Sequence, residues 1–214
     1  MHVANETAVH IEEFKLNNEI IGTSLNALYQ AATCHRKCHG GAHVLESLCG
    51  RAYNLSCAAY DLTNFGLYDE ALNLIRSLAE MTNLIMLLSL DQSKVQTWIN
   101  SDRKTRLRDF GPATIRRQLE AKGHICASDD WYRELSERYT HPTPMTRPND
   151  HGGLPWVGGK YEYEGMKNCY GRLMYVVAML SMFICRWFEF DDLLKAITER
   201  LRITEDEAAC GKEP

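Results

Sequence analysis

Tyr68-Asp-Glu-Ala-Leu-Asn-Leu-Ile-Arg-Ser-Leu-Ala-Glu-Met-Thr-Asn-Leu-Ile-Met-Leu-Leu-Ser-Leu90 reads as one continuous helix. Leu72, Ile75, Leu78, Ala79, Leu84, Ile85 and Leu88 make it apolar on most sides, which suits a helix at the centre of a core. Asp69 and Glu70 lie in its first turn, where acidic groups favour the helix dipole. Arg76 and Glu80 interrupt the apolar surface and, four residues apart, are neighbours on one face. A pair buried there needs further hydrogen bonds, because desolvation otherwise outweighs the attraction. It suits a structural buttress or a holder for an anionic ligand, and the spacing alone favours the buttress.

Outward from this helix, Asn64-Phe65-Gly66 is a helix stop with Gly66 in the C-terminal capping position. So short a connection predicts an antiparallel helical hairpin with a helix over about 42–65, whose buried stripe is Leu45, Leu48, Ala52, Leu55, Ala59 and Leu62. Before it, Ile11, Phe14, Ile21, Leu25 and Leu28 predict an amphipathic helix over about 8–37, ended by Gly40-Gly41. Downstream, Asp91 reads as the N-cap of a shorter helix carrying Val95, Trp98 and Ile99. Pro112 suits the first turn of a helix over about 112–121. Ser128-Asp129-Asp130 caps another, which Pro142 stops near His141. Residues 142–160 hold four prolines and four glycines without periodicity, a loop long enough to suggest function. Helices over about 161–188 and 191–203 follow, then an acidic tail over 204–214 that should fray.

The expectation is a single all-α domain over 1–214, a helical bundle of about seven helices. Its core should be four or five helices within 42–190, with the first helix packed on it.

The net charge of −4 gives no global signal for nucleic acid, so any basic surface must be local. The N-terminus lacks the basic start and apolar core of a signal peptide. The most apolar run, Leu173–Cys185, is too short to cross a membrane, and a buried core helix is the better reading. Eight cysteines without an export signal point to reduced thiols and a cytoplasmic location. Of these, Cys49, Cys57, Cys169 and Cys185 sit in apolar helical patterns as small core residues. Cys34-His-Arg-Lys-Cys38-His39-Gly-Gly-Ala-His43 has the residue types that bind zinc. A single Cys-x3-Cys spacing with no second pair favours a polar, partly reactive loop, so no metal or cofactor is expected.

Two further stretches carry polar groups. In Trp131–Pro142, helical spacing puts Trp131, Tyr132, Leu135 and Tyr139 on a core-facing stripe with Ser136 at its edge. Arg138 and His141 are neighbours in the last turn, where the dipole favours the protonated imidazole. Capping of orphan carbonyls is the plainer role for His141. Between Asp102 and Lys122, seven basic residues (Arg103, Lys104, Arg106, Arg108, Arg116, Arg117 and Lys122) outnumber three acidic ones. Such a run can neutralise phosphates, although a solvated face is the commoner use. No phosphate-cradling glycine loop, HExxH, nucleophile elbow or dinucleotide fingerprint is present.

Arg76-Ser-Leu-x-Glu80 after the Gly66–Ala71 hairpin, with Tyr132-x-x-Leu-Ser136-x4-His141-Pro, resembles an uncharacterised bacterial family of HEPN-like helical proteins over roughly 45–190. The resemblance implies a bundle that dimerises across the helices carrying the polar motif. It also implies a role in prokaryotic defence, toxin–antitoxin or stress systems, beside a cognate antitoxin or nucleotidyltransferase. RNA is the implied ligand, and metal-independent endoribonuclease chemistry the implied reaction. His141 would act as acid or base, with Arg138, Arg133 and Arg76 as phosphate partners and Glu80, Tyr132 and Ser136 orienting them. Arg116 and Arg117 would add to RNA binding. Arg133 precedes His141 by seven intervening residues and Arg138 by two, and neither is the spacing of the catalytic motif. Families that lack that motif resemble non-catalytic dimerising or scaffold modules. A small-molecule site lined by Tyr132, Tyr139 and Trp156 is a third reading.

Overall fold

A computed structural model describes residues 12–38, 43–124, 127–150 and 155–210, of which 203–210 contribute helical backbone alone. The fold is all helical, with no strand among the described residues. Its helices are α1 (Lys15–Ala32), α2 (Val44–Asn64), α3 (Tyr68–Leu90), α4 (Ser93–Asn100), α5 (Arg103–Asp109), α6 (Pro112–Glu120), α7 (Asp129–Leu135), α8 (Tyr163–Phe188) and α9 (Asp191–Cys210). A π turn, Ser136–Thr140, continues α7 directly.

Four helices close a ring in which α1 packs on α2, α2 on α3, α3 on α8 and α8 on α1. The first helix is thus a full member of the core, and α9 lies against α1 and α8. As its all-round apolarity predicts, α3 is central: it also meets α6, α7 and the π turn on the side away from the ring. Leu72, Ile75, Leu78, Ala79, Ile85, Leu87 and Leu88 are fully buried along it. In α8, Met166, Tyr170, Leu173, Val177, Leu180 and Ile184 fill the middle of the bundle. Both α3 and α8 are long and apolar enough to cross a membrane, although 67% and 56% of their most apolar windows are buried against protein. Cys49, Cys169 and Cys185 are buried, whereas Cys57 is only partly so.

Three boundaries differ from those the sequence predicts. Helix α1 ends at Ala32, before Gly40-Gly41, because Cys34 takes the left-handed conformation (φ 51°) usually left to glycine. The N–H groups of Cys34 and His35 then donate to the carbonyls of Ala31 and Gln30, a Schellman closure. The helix after α3 starts at Ser93, and Asp91 instead accepts from the Ser93 hydroxyl. Finally, α9 continues to Cys210, past the predicted end at Ile203. The caps at Pro112 and Ser128 lie where expected, with the Ser128 hydroxyl accepting from the Trp131 N–H.

The α2–α3 stop at Gly66 does two jobs. Its φ of 71° closes a second Schellman turn, with Leu67 N–H donating to Leu62 O at 2.9 Å. The end of the long loop also lies directly against it, so that a Cβ on Gly66 would sit 2.4 Å from the Lys160 carbonyl oxygen. Nearby, the buried Tyr68 hydroxyl accepts from the Glu162 N–H, fixing the start of α8 to the start of α3. The loop is held from its other side by the Asn149 N–H, which donates to the Asp69 carboxylate.

Gly66→Ala should therefore destabilise the fold by about 2 kcal/mol or more, since the left-handed backbone alone costs roughly 1–2 kcal/mol for a residue with a Cβ. Chemical denaturation would measure this, and a change within ~0.5 kcal/mol would contradict the packing described. Alkaline pH gives a second test. Burial pushes the Tyr68 phenol and the Cys185 thiol each up to about 12. Their unfolded values are about 10 and 8.5, so the fold favours the protonated forms. Their contribution to stability is complete below pH ~8.5 and is lost as pH rises from there towards 12. The melting temperature should fall progressively over that window.

Candidate functional site

Buried arginine is the starting point. The Arg76 side chain projects from α3 towards α7 and is 8% exposed. Its Nε donates to Ser136 Oγ at 2.8 Å, and one terminal nitrogen donates to the Tyr132 hydroxyl. That nitrogen also lies 3.5 Å from Glu80 Oε1, so the predicted pair forms but is loose. Tyr132 completes the circuit, its hydroxyl donating to Glu80 Oε1 at 2.6 Å. Ser136 in turn donates to the Tyr132 carbonyl at 2.7 Å. Partial burial and the Glu80 carboxylate both raise the Tyr132 pKa, which keeps the phenol a donor.

A second arginine joins from α6. Arg116, 7% exposed, donates from Nε to the Asp129 carboxylate at the start of α7. Its guanidinium carbon lies 4.1 Å from the Tyr132 ring centroid, and that of Arg76 lies 4.3 Å from it. Tyr132 is thus the hub: its ring takes two cation–π contacts and its hydroxyl links a cation to an anion. Two guanidinium groups and two carboxylates balance, so the cluster as a whole carries no excess charge.

Arg76, Glu80, Tyr132, Ser136 and Arg116 therefore meet, and the other predicted residues do not join them. His141 is exposed beyond the π turn, where its N–H donates to Ser136 O and its carbonyl accepts from the Thr146 hydroxyl. Arg133 is exposed and pairs with Asp130. Exposed Arg117 bonds back to Ala113 and Thr114 of its own helix. Arg138 lines a separate polar cleft of about 310 Å³ with Asp69, Tyr139, Arg147 and Asp150. The predicted stripe is only partly a packing face: Leu135 is buried, whereas Trp131, Tyr132 and Tyr139 are half-buried. Trp156 is half exposed, with the Lys160 ammonium 4.8 Å from its ring centroid.

Beside the cluster is a cavity of about 330 Å³ between α2, α3 and α6. Leu55, Leu84 and Phe110 give it apolar walls, while Arg51, Glu80 and Arg116 converge on it. Asp129, which reads only as a helix-capping residue, is the partner of Arg116, and Phe110 and Arg51 also carry no sequence signal for this site. They come from separate helices and turns, so no local spacing relates them.

A double-mutant cycle tests the cluster. Arg76→Ala should destabilise by about 2–4 kcal/mol, because it leaves the buried Ser136 hydroxyl and the half-buried Tyr132 and Glu80 groups short of a partner. Tyr132→Phe should cost roughly 1–2 kcal/mol, with a coupling between the two of at least ~0.5 kcal/mol. Additive effects in urea denaturation would show that the residues do not act as one unit. No family model, curated protein or solved structure matches the chain.

Proposed function

We propose that this chain is a non-catalytic RNA-binding helical module of the HEPN-like type. The observation that carries the reading is the division of its basic groups. Arg76 and Arg116 are committed to internal partners, while Arg103, Lys104, Arg106, Arg117 and Lys122 are exposed along α5, α6 and the turn after α6, with exposed Arg108 paired to Asp109. Phe110 and Pro112, from the same stretch of chain as these cations, line the α2–α3–α6 cavity.

An exposed basic run and a cavity with apolar walls are together suited to single-stranded RNA. Unstacked bases seek apolar or aromatic surfaces while the backbone follows positive charge. The recess volume lies at the lower end of the range for small-ligand sites, enough for one base. Cleavage would need an acid or base next to the phosphate-binding cations. His141 stands outside both the cluster and the cavity lining, so binding is the better-supported activity.

Fluorescence anisotropy with labelled single-stranded RNA, over a series of salt concentrations, tests this. Replacing Arg103, Lys104 and Arg117 together by Glu should weaken binding at least ~10-fold and flatten the salt slope by about 0.7 for each phosphate no longer neutralised. Phe110→Ala should weaken it by ~1–3 kcal/mol if a base stacks there. His141→Ala should leave binding unchanged. An absence of salt-dependent RNA binding would leave the scaffold reading in its place, and His141-dependent cleavage would restore the nuclease.

A further inference from the structure

The corner between α1 and α2 gathers four side chains whose donor atoms face one another: Cys34 Sγ, Cys38 Sγ, His43 Nδ1 and a carboxylate oxygen of Glu46. All four lie within 4.8 Å of one another. Nδ1 of His43 is 3.7 Å from Cys34 Sγ, 3.8 Å from Cys38 Sγ and 3.7 Å from Glu46 Oε1. Cys34 Sγ is 3.9 Å from Glu46 Oε1.

From this geometry we propose that the corner is a zinc site of composition Cys2HisGlu, built from Cys34, Cys38, His43 and Glu46. Zinc bonds of roughly 2.0–2.3 Å in a tetrahedron place ligand atoms about 3.3–3.8 Å apart. Four of the six separations lie at or just beyond the upper end of that range and all six are within 4.8 Å, so ligation draws the atoms inward, Cys38 Sγ by up to about an ångström.

Hydrogen bonding alone accounts poorly for the arrangement. A single imidazole nitrogen offers either one proton or one lone pair, yet Nδ1 faces two sulfurs and a carboxylate at nearly equal distance. A divalent cation between the four satisfies all of them at once. Glu46 strengthens the case because its side chain is only 4% exposed, in the first turn of α2.

The supports of the ligands are also in place. Arg36 and Lys37, between the two cysteines, are tied to the α8–α9 corner. Arg36 makes a two-pronged contact with Asp192 at 2.5 and 2.9 Å and lies 5.2 Å from the Phe190 ring centroid. Lys37 reaches Glu189 at 2.6 Å. The Arg36 guanidinium holds the Asp192 carboxyl down to about 2, so this tether stays charged at ordinary pH. On the other side, His43 is the N-cap residue of α2 and Glu46 lies three residues on, so the helix sets their relative positions.

Four protein ligands leave no open position for a substrate, which makes the site structural. It fastens the end of α1 to the start of α2. Binding converts both thiols to thiolates and releases their protons to solvent. This reverses the metal-free expectation from the cysteine spacing. Zinc-ligand patterns are sought as two close pairs, whereas here Cys-x3-Cys is completed by His-x2-Glu after four intervening residues. His39, also in this stretch, lies outside the described residues. The proposal is independent of RNA binding.

The test uses the full chain purified under reducing conditions without a histidine tag. Elemental analysis should give one zinc per chain after reconstitution, and cobalt in its place should show thiolate-to-metal charge transfer with tetrahedral ligand-field bands. Chelation should lower the melting temperature, and zinc should restore it. Cys34→Ser and His43→Ala should each reduce occupancy at least tenfold while the far-ultraviolet spectrum stays helical, and Cys57→Ser should leave it at one. The wild-type cobalt titration needs no variant, so misfolding of a mutant cannot obscure the result. Octahedral cobalt without a sulfur band, substoichiometric zinc after reconstitution, or full occupancy in a Cys38→Ser/His43→Ala chain would overturn the proposal.

Discussion

A guanidinium taken out of water needs acceptors set in the plane of its fork. Arg76 imposes that demand on one side of the central helix. The acceptors come from α7 and the π turn, as the Tyr132 and Ser136 hydroxyls, while Glu80 on its own helix balances the charge. The short outer helices bury little apolar surface of their own: α4 and α5 contain no buried residue, and in α7 only Leu135 is buried. Polar geometry therefore contributes much of what holds α7 to the bundle. Arg116 extends the same arrangement to α6 through the Tyr132 ring and Asp129. The main four-helix ring is held by apolar packing, α6 by Ile115 and Leu119 as well as by Arg116, and α7 largely by hydrogen bonds around charges.

The sequence made the ring legible because its signals are periodic and local. All-round apolarity identified α3 as central, and Gly66 marked its hairpin. What escaped it depends on partners far along the chain. Tyr132 falls on the apolar arc of α7, and periodicity cannot reveal that its hydroxyl meets groups more than fifty residues away. Arg138 and His141 looked like a site because they are close in sequence at a helix end. Arg138 lies in the polar cleft with Asp69 and Asp150, and His141 is exposed after the π turn. The end of α1 was misplaced for a different reason: a cysteine adopts the left-handed cap that glycine was expected to supply. That same cysteine contributes to the Cys34–Glu46 cluster, whose four members come from the end of α1 and the start of α2 and resemble no single motif.

The charge distribution separates support from contact. Inside, two cations and two anions cancel around Tyr132, which stiffens the scaffold without attracting an external anion. Outside, a run of exposed basic residues follows α5, α6 and the turn after them, while the chain as a whole is acidic. A uniformly basic protein would hold polyanions anywhere on its surface. A segregated one holds them in one place and repels them elsewhere, which gives orientation as well as attraction.

The π turn after α7 bears on how this chain tolerates changes in length. A turn closed from residue i to i+5, as between Ser136 and His141, contains one residue more than an α-helical turn. Deleting one residue between Glu137 and Thr140 would restore ordinary spacing and rotate all that follows by roughly 100°. Tyr132 and Ser136 would stay on Arg76, but Thr140 would lose its bond to Asn73, at 2.9 Å, and the long loop would leave the bundle in a new direction. The supporting cluster and the loop are thus joined by a single-residue adjustment of phase. Shortening by one residue there would redirect the loop while leaving the cluster beneath it intact.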